Sequence, residues 1–90
     1  MQKRVIASVY GNVQGVGLRD FTQATAEKLG IVGTVRNGDD GTVEIVGEGE
    51  GHMLKELLVT MGQYPYAHIT KIDETWREAV GSHSDFRIIF

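Results

Sequence analysis

Apolar and polar positions alternate with a period of two in several stretches of this chain, and recur with a period near 3.6 in two others. Val5, Ala7 and Val9 alternate with Ile6, Ser8 and Tyr10, so residues 4–10 predict a first strand. Gly11 to Gly17 is too rich in glycine for a regular element and predicts a loop entering a helix. Leu18, Phe21, Thr25 and Leu29, with Ala24 and Ala26 beside them, then recur at helical spacing until Gly30, a carboxyl-terminal cap. Ile31 to Arg36 and Thr42 to Val46 predict an antiparallel hairpin, joined by the turn residues Asn37-Gly38-Asp39-Asp40-Gly41. Gly47 to Gly51 breaks the pattern. Leu54, Leu57, Leu58 and Met61 then form the stripe of a second helix, with its exit at Gly62 and Pro65. His68 to Glu74 predicts a fourth strand, Trp76 to Ser84 a polar connection, and Phe86 to Phe90 a short final strand.

Through the fourth strand the order reads βαββαβ, with the short final strand following it. Two βαβ units with right-handed crossovers give an α+β sandwich, a four-stranded antiparallel sheet with both helices on one face. This is the ferredoxin-like arrangement. Ninety residues, with no linker, repeat or low-complexity tract, leave room for one domain over 1–90.

Composition narrows the chemistry. The chain has no cysteine, which removes disulfides, thiolate metal sites and thiol nucleophiles. No apolar run approaches the ~20 residues of a membrane span, and Met1 to Arg4 leads straight into a strand without a signal-like stretch, so a cytoplasmic location is expected; the protein is taken as a monomer. A net charge of -3 argues against salt-driven binding to nucleic acid or to a membrane. The charge is unevenly spread. Lys3, Arg4, Arg19, Lys28 and Arg36 outnumber Asp20 and Glu27 over residues 1–37, whereas acids dominate the remainder, so an anionic ligand is expected to engage the first half.

The loop before the first helix is the strongest candidate for that ligand. Helix amino termini expose unpaired N–H groups and a partial positive charge, and glycines let successive amides turn inward as an anion-binding nest. Arg19 has the wrong sign for that end of a helix dipole, at a cost of about 0.3–1 kcal/mol that a bound phosphate would offset. It can also offer two N–H groups to two phosphate oxygens. Spacing alone serves equally well an ordinary tight turn with a solvated Arg19. Leu18-Arg19 after Gly17 excludes a Walker loop, and Asp20 stands where the dinucleotide fingerprint needs glycine or alanine.

Gly11-Asn12-Val13-Gln14-Gly15-Val16-Gly17-Leu18-Arg19, followed by Gly33-Thr34-Val35-Arg36-Asn37 and Asp40-Gly41-Thr42-Val43-Glu44, resembles the acylphosphatase family. The resemblance covers most of residues 5–49 and continues more loosely to the Phe86-Arg87-Ile88 ending. It implies the ferredoxin-like fold and hydrolysis of a small acyl phosphate to a carboxylate and inorganic phosphate, with no metal and no cofactor. It also implies that Arg19 binds phosphate, that Asn37 positions the attacking water, and that Gln14, Gly15, Val16, Gly17, Leu18 and Arg19 form the phosphate loop. Leu18 stands where the family usually has phenylalanine, a change expected to affect packing more than chemistry. Asp20 also departs from the family's more usual aromatic or apolar residue; neighbours on a helix point ~100° apart and need not meet.

Other residues carry weaker signals. Asn37-Gly38 is also an ordinary turn pair. His52, His68 and His83 share no metal-ligand spacing, and Glu48 and Glu50 lack the donor pattern of a calcium loop. Trp76 and Tyr10 are candidates for an acyl pocket, although burial explains them equally well. The third strand lacks the stacking aromatics of an RNA-recognition sheet. A non-catalytic anion-binding module is the competing function: it would keep the loop and Arg19 without needing Asn37.

Overall fold

A computed structural model describes residues 1–90. Its elements follow in the order β1 (Gln2–Asn12), α1 (Leu18–Lys28), β2 (Val32–Asn37), β3 (Val43–Glu50), α2 (Gly51–Gly62), β4 (His68–Glu78) and β5 (Phe86–Ile88). They form one sheet in the order β4-β1-β3-β2-β5. β1 pairs antiparallel with both β3 and β4, and β3 pairs antiparallel with β2. Each helix therefore links two parallel strands with a third strand between them, the ferredoxin-like arrangement expected from the sequence.

The sheet departs from four antiparallel strands at one edge. β5 pairs in parallel with β2, Gly33 opposite Phe86 and Val35 opposite Ile88, so the sheet is mixed and five-stranded. Parallel pairing needs a long return path, and the 79–85 connection together with β4 supplies it. This edge matters for the site, because it carries the last residues of the chain toward the start of α1.

Alternation sets the core. Val5, Ala7 and Val9 of β1 lie beside Ile45 and Val43 of β3, and Val35 of β2 continues the same face. Leu54, Leu57, Leu58 and Met61 of α2 and Leu18 and Ala26 of α1 close over them in one buried cluster. Fully burying such an aliphatic side chain contributes about 1.5–3 kcal/mol. On α1 the buried stripe runs through Leu18, Thr22 and Ala26, one position on from the Phe21–Thr25 line. The Thr22 hydroxyl tolerates this because it donates to the Leu18 carbonyl at 2.8 Å, while Phe21 turns to stack near Tyr64 at 4.6 Å between ring centroids.

Two strands run further than their sequence suggests. β3 continues through Gly47-Glu48-Gly49-Glu50, which looked like a break. Pairing with β1 on one side and β2 on the other holds it extended, and the glycines leave room for Ile31 and Leu54, 3.3 Å from where a Gly47 side chain would begin. β4 reaches Glu78 and takes in Trp76, because β1 pairs with it as far as Lys3 opposite Glu78. Glu48 faces away from the helices and is 3% exposed, yet it is fully partnered: Arg4 donates to it at 3.0 Å and the amides of Val80 and Gly81 at 2.8 and 2.9 Å. It ties the connection before β5 to the middle of the sheet.

Candidate active site

The loop between β1 and α1 owes its form to two glycines. Gly15 and Gly17 have φ of 74° and 83°, the left-handed region that costs other residues about 1–2 kcal/mol. Gly17 is the amino-terminal cap of α1 and offers no side-chain acceptor, so nothing in the protein takes the first-turn amides. From Gly15 to Asp20 no amide donates to a protein acceptor. Consecutive unpaired donors of this kind form a concave, electropositive surface.

Two neighbours hold the loop in place. From behind, the Tyr64 hydroxyl donates to the Val16 carbonyl at 2.6 Å, and it lies 2.8 Å from where a Gly17 side chain would begin. From the side, the Gln14 amide group donates to the carbonyls of Gly38 and Thr42, both at 2.9 Å. Gln14 thus joins the loop to the β2–β3 turn that begins just after Asn37. Within that turn, Asp40 accepts from the Thr42 hydroxyl at 2.6 Å and from the Thr42 amide at 3.2 Å. These contacts, the hydroxyl first, hold the Asp40 carboxyl below its ordinary range.

Arg19 is half-buried and has no carboxylate within 4 Å. Its guanidinium lies 5.8 Å from the centre of the Phe90 ring. A cavity of about 330 Å³ opens here, lined by Gly15, Gly17 and Arg19, by the apolar Val13, Leu18, Ile88 and Phe90, and by Asp20. Asp20 shares the cavity with Arg19 without pairing to it. Leu18 is 1% exposed and packs in the core, as its apolar character implied. Asn37 does not line this cavity; it is connected to the loop through the neighbouring turn and Gln14. Its Oδ1 is buried and accepts no hydrogen bond from the protein, an arrangement that costs about 1–3 kcal/mol unless an outside donor satisfies it.

Neither aromatic candidate for the acyl pocket is here. Trp76 lines a separate groove of about 700 Å³ with Lys3, His52 and Lys55, beside the start of α2. Tyr10 lies under the Lys71 ammonium, 4.4 Å from its ring centre. The apolar lining comes instead from Ile88 and Phe90, which the β2–β5 pairing brings across from the other end of the chain. Ile88 figured only in the family-like ending, and no local motif places it, Phe90 or Tyr64 at the loop, since each reaches it through tertiary contact.

Sequence and fold together place the chain among known proteins. The acylphosphatase family model matches residues 5–88. The chain belongs to the acylphosphatase family. It is 41% identical over 90 residues to an acylphosphatase of Caldanaerobacter subterraneus, covering 98% of this chain and 99% of that one. To an acylphosphatase of Salinibacter ruber it is 38% identical over 88 residues, 97% of this chain and 93% of the other. Among solved structures, an acylphosphatase from Bacillus subtilis superposes with a TM-score of 0.90 at 36% identity over the full length of both chains. The family fold also occurs inside larger proteins: full-length HypF contains it with a TM-score of 0.91 at 27% identity, over 12% of that chain.

Proposed function

We propose that this member of the acylphosphatase family cleaves the carboxyl–phosphate bond of a small acyl phosphate with two side chains and a cradle of backbone amides. The amides from Gly15 to Asp20 and the guanidinium of Arg19 take the phosphoryl oxygens, and Asn37 holds the attacking water. Water oxygen bonds to phosphorus as the bond to the acyl oxygen breaks, and the carboxylate leaves with that electron pair. One water proton passes to a phosphoryl oxygen. The products are a carboxylate and inorganic phosphate.

The observation that carries this reading is the coincidence of unpaired donors with an unpaired cation. The Gly15–Asp20 amides and Arg19 are all without acceptors, and all border or adjoin one cavity. Charge develops on the phosphoryl oxygens and on the departing carboxylate, and fixed donors stabilise it without reorganising. A carboxylate is a good leaving group, so no strong general acid is required. Asn37 fits the water-holding role because its buried Oδ1 lacks a donor and it adds no negative charge beside a phosphate. The same reading takes the protein as a cytoplasmic monomer with no resident metal. No helix is long and apolar enough to cross a membrane.

The deciding measurement is hydrolysis of benzoyl phosphate by the protein and by folded Arg19→Ala and Asn37→Ala variants, with and without a chelator. Arg19→Ala should lose both phosphate binding and turnover, the latter by at least ~10²- to 10³-fold, while Asn37→Ala should lose mainly turnover. Full activity in Asn37→Ala would remove its assigned role. Turnover abolished by the chelator would remove the metal-free mechanism, and phosphate binding without any turnover would point to an anion-binding module.

A further inference from the structure

The proposed reaction leaves the acyl half of the substrate unassigned, and the cavity beside Arg19 constrains it. Its side-chain lining is apolar apart from two groups: Val13 and Leu18 are buried, Ile88 is half-buried, and the Phe90 ring is exposed beside the Arg19 guanidinium. Arg19 is the only cation among the lining residues. The second polar group, Asp20, is exposed and has no Lys, Arg or His nitrogen within 4 Å, so its charge is not neutralised by a neighbour. With Arg19 and the amides engaged by phosphoryl oxygens, a second anionic group on the substrate would find no cation in this cavity. It would meet Asp20 and apolar surface instead.

Resting on the hydrolytic reading above, we infer that Asp20 is a specificity-determining residue that turns the site against acyl phosphates carrying a second negative charge, favouring those with an uncharged, apolar acyl group. Two like charges a few ångströms apart at a wet surface disfavour binding by several-fold, and added salt weakens the effect. Asp20 also stands in the first turn of α1, where an acid complements the helix dipole. That role predicts a change in thermal stability alone. Discrimination predicts a change in the ratio between two ligands.

The test compares benzoyl phosphate with succinyl phosphate, which carries a free carboxylate, in the natural protein and in Asp20→Asn. In parallel, calorimetry compares binding of phenylphosphonate and 3-phosphonopropionate, a pair that needs no turnover. The natural protein should favour the uncharged member of each pair. Asp20→Asn should raise kcat/KM for succinyl phosphate about three- to tenfold more than for benzoyl phosphate, with a matching shift between the phosphonates that shrinks at high salt. Ratios unchanged by Asp20→Asn overturn the inference; if benzoyl phosphate is still hydrolysed, the hydrolytic reading survives. Absence of all turnover with a shifted phosphonate ratio removes the hydrolytic reading and retains the discrimination by Asp20.

Discussion

Asn37 occupies a position where a turn and a reaction make compatible demands. It is the last residue of β2, and Gly38 after it donates its amide to the Thr42 carbonyl at 2.8 Å to close the turn. The backbone is thus accounted for by the hairpin, but the buried side-chain oxygen is not. A substitution that keeps the shape and changes the charge separates the two roles. Asn37→Asp should fold, yet lose ~10²-fold or more in turnover on benzoyl phosphate and bind inorganic phosphate more weakly, because a carboxylate near the cradle repels the phosphoryl group. Activity near that of the natural protein would exclude Asn37 from the reacting centre. At this scale the sequence was informative about Arg19 and Asn37 through family motifs. It named Gln14 only as part of the phosphate loop and gave no sign that its side chain joins the two segments.

At the scale of elements, the cradle is a strand end, a two-glycine loop and a helix start held from behind by the segment after α2. Tyr64 makes that support specific. Tyr64→Phe keeps the ring stacked on Phe21 and removes only the hydrogen bond to the Val16 carbonyl, a loss of about 0.5–1.5 kcal/mol. The expected result is a modest fall in Tm with a severalfold rise in the inhibition constant for phosphate, while kcat moves less. An unchanged phosphate affinity would show that the loop keeps its form without Tyr64. Gly17→Ala is more severe. The added methyl group meets the Tyr64 oxygen, and the φ of 83° costs an alanine about 1–2 kcal/mol, so denaturant unfolding should shift by at least that amount.

Element boundaries show where local signals fail. The period-two pattern located β1, and the 3.6 pattern located α2 with its four buried residues unchanged. The glycines of β3 looked like a break because glycine has weak strand propensity, but pairing on both sides overrides that preference. β4 past Glu74 is mostly exposed, so no burial pattern marks it, and it is identified as strand only by its hydrogen-bonded partner β1.

For the molecule as a whole, the Glu48 cluster links the sheet to the edge strand that lines the site. The Val80 amide holds the Glu48 carboxyl below its ordinary range; burial opposes this, and the Gly81 amide and Arg4 add to the lowering. Asp40 shifts in the same direction. Because the folded-state values lie below the unfolded ones, the unfolded chain takes up protons first as pH falls. The stability from these groups is complete above the ordinary values of 3.8 and 4.5 and is lost as pH drops through the lower folded values. Tm should therefore hold steady from pH 7 to about pH 5 and fall below it. Glu48→Gln should lower Tm at pH 7 and flatten the acid fall; an acid limb of unchanged steepness would assign it to other carboxylates. In the core, Leu57→Ala should cost about 2–5 kcal/mol in denaturant unfolding, since Leu57 is 0% exposed within the buried cluster.

What the sequence by itself determined is the part written in neighbouring residues: two amphipathic helices, the alternating strands, the glycine loop with Arg19, and the turn after Asn37. Those signals are local because backbone conformation and face periodicity are set within a few residues. Tertiary structure alone decided that β5 joins as a parallel edge, that Ile88 and Phe90 come to stand beside Arg19, and that Tyr64 and Gln14 fix the cradle. These contacts join residues 24 to 71 positions apart in the chain, so they exist only once the sheet has closed and brought its edge to the start of α1.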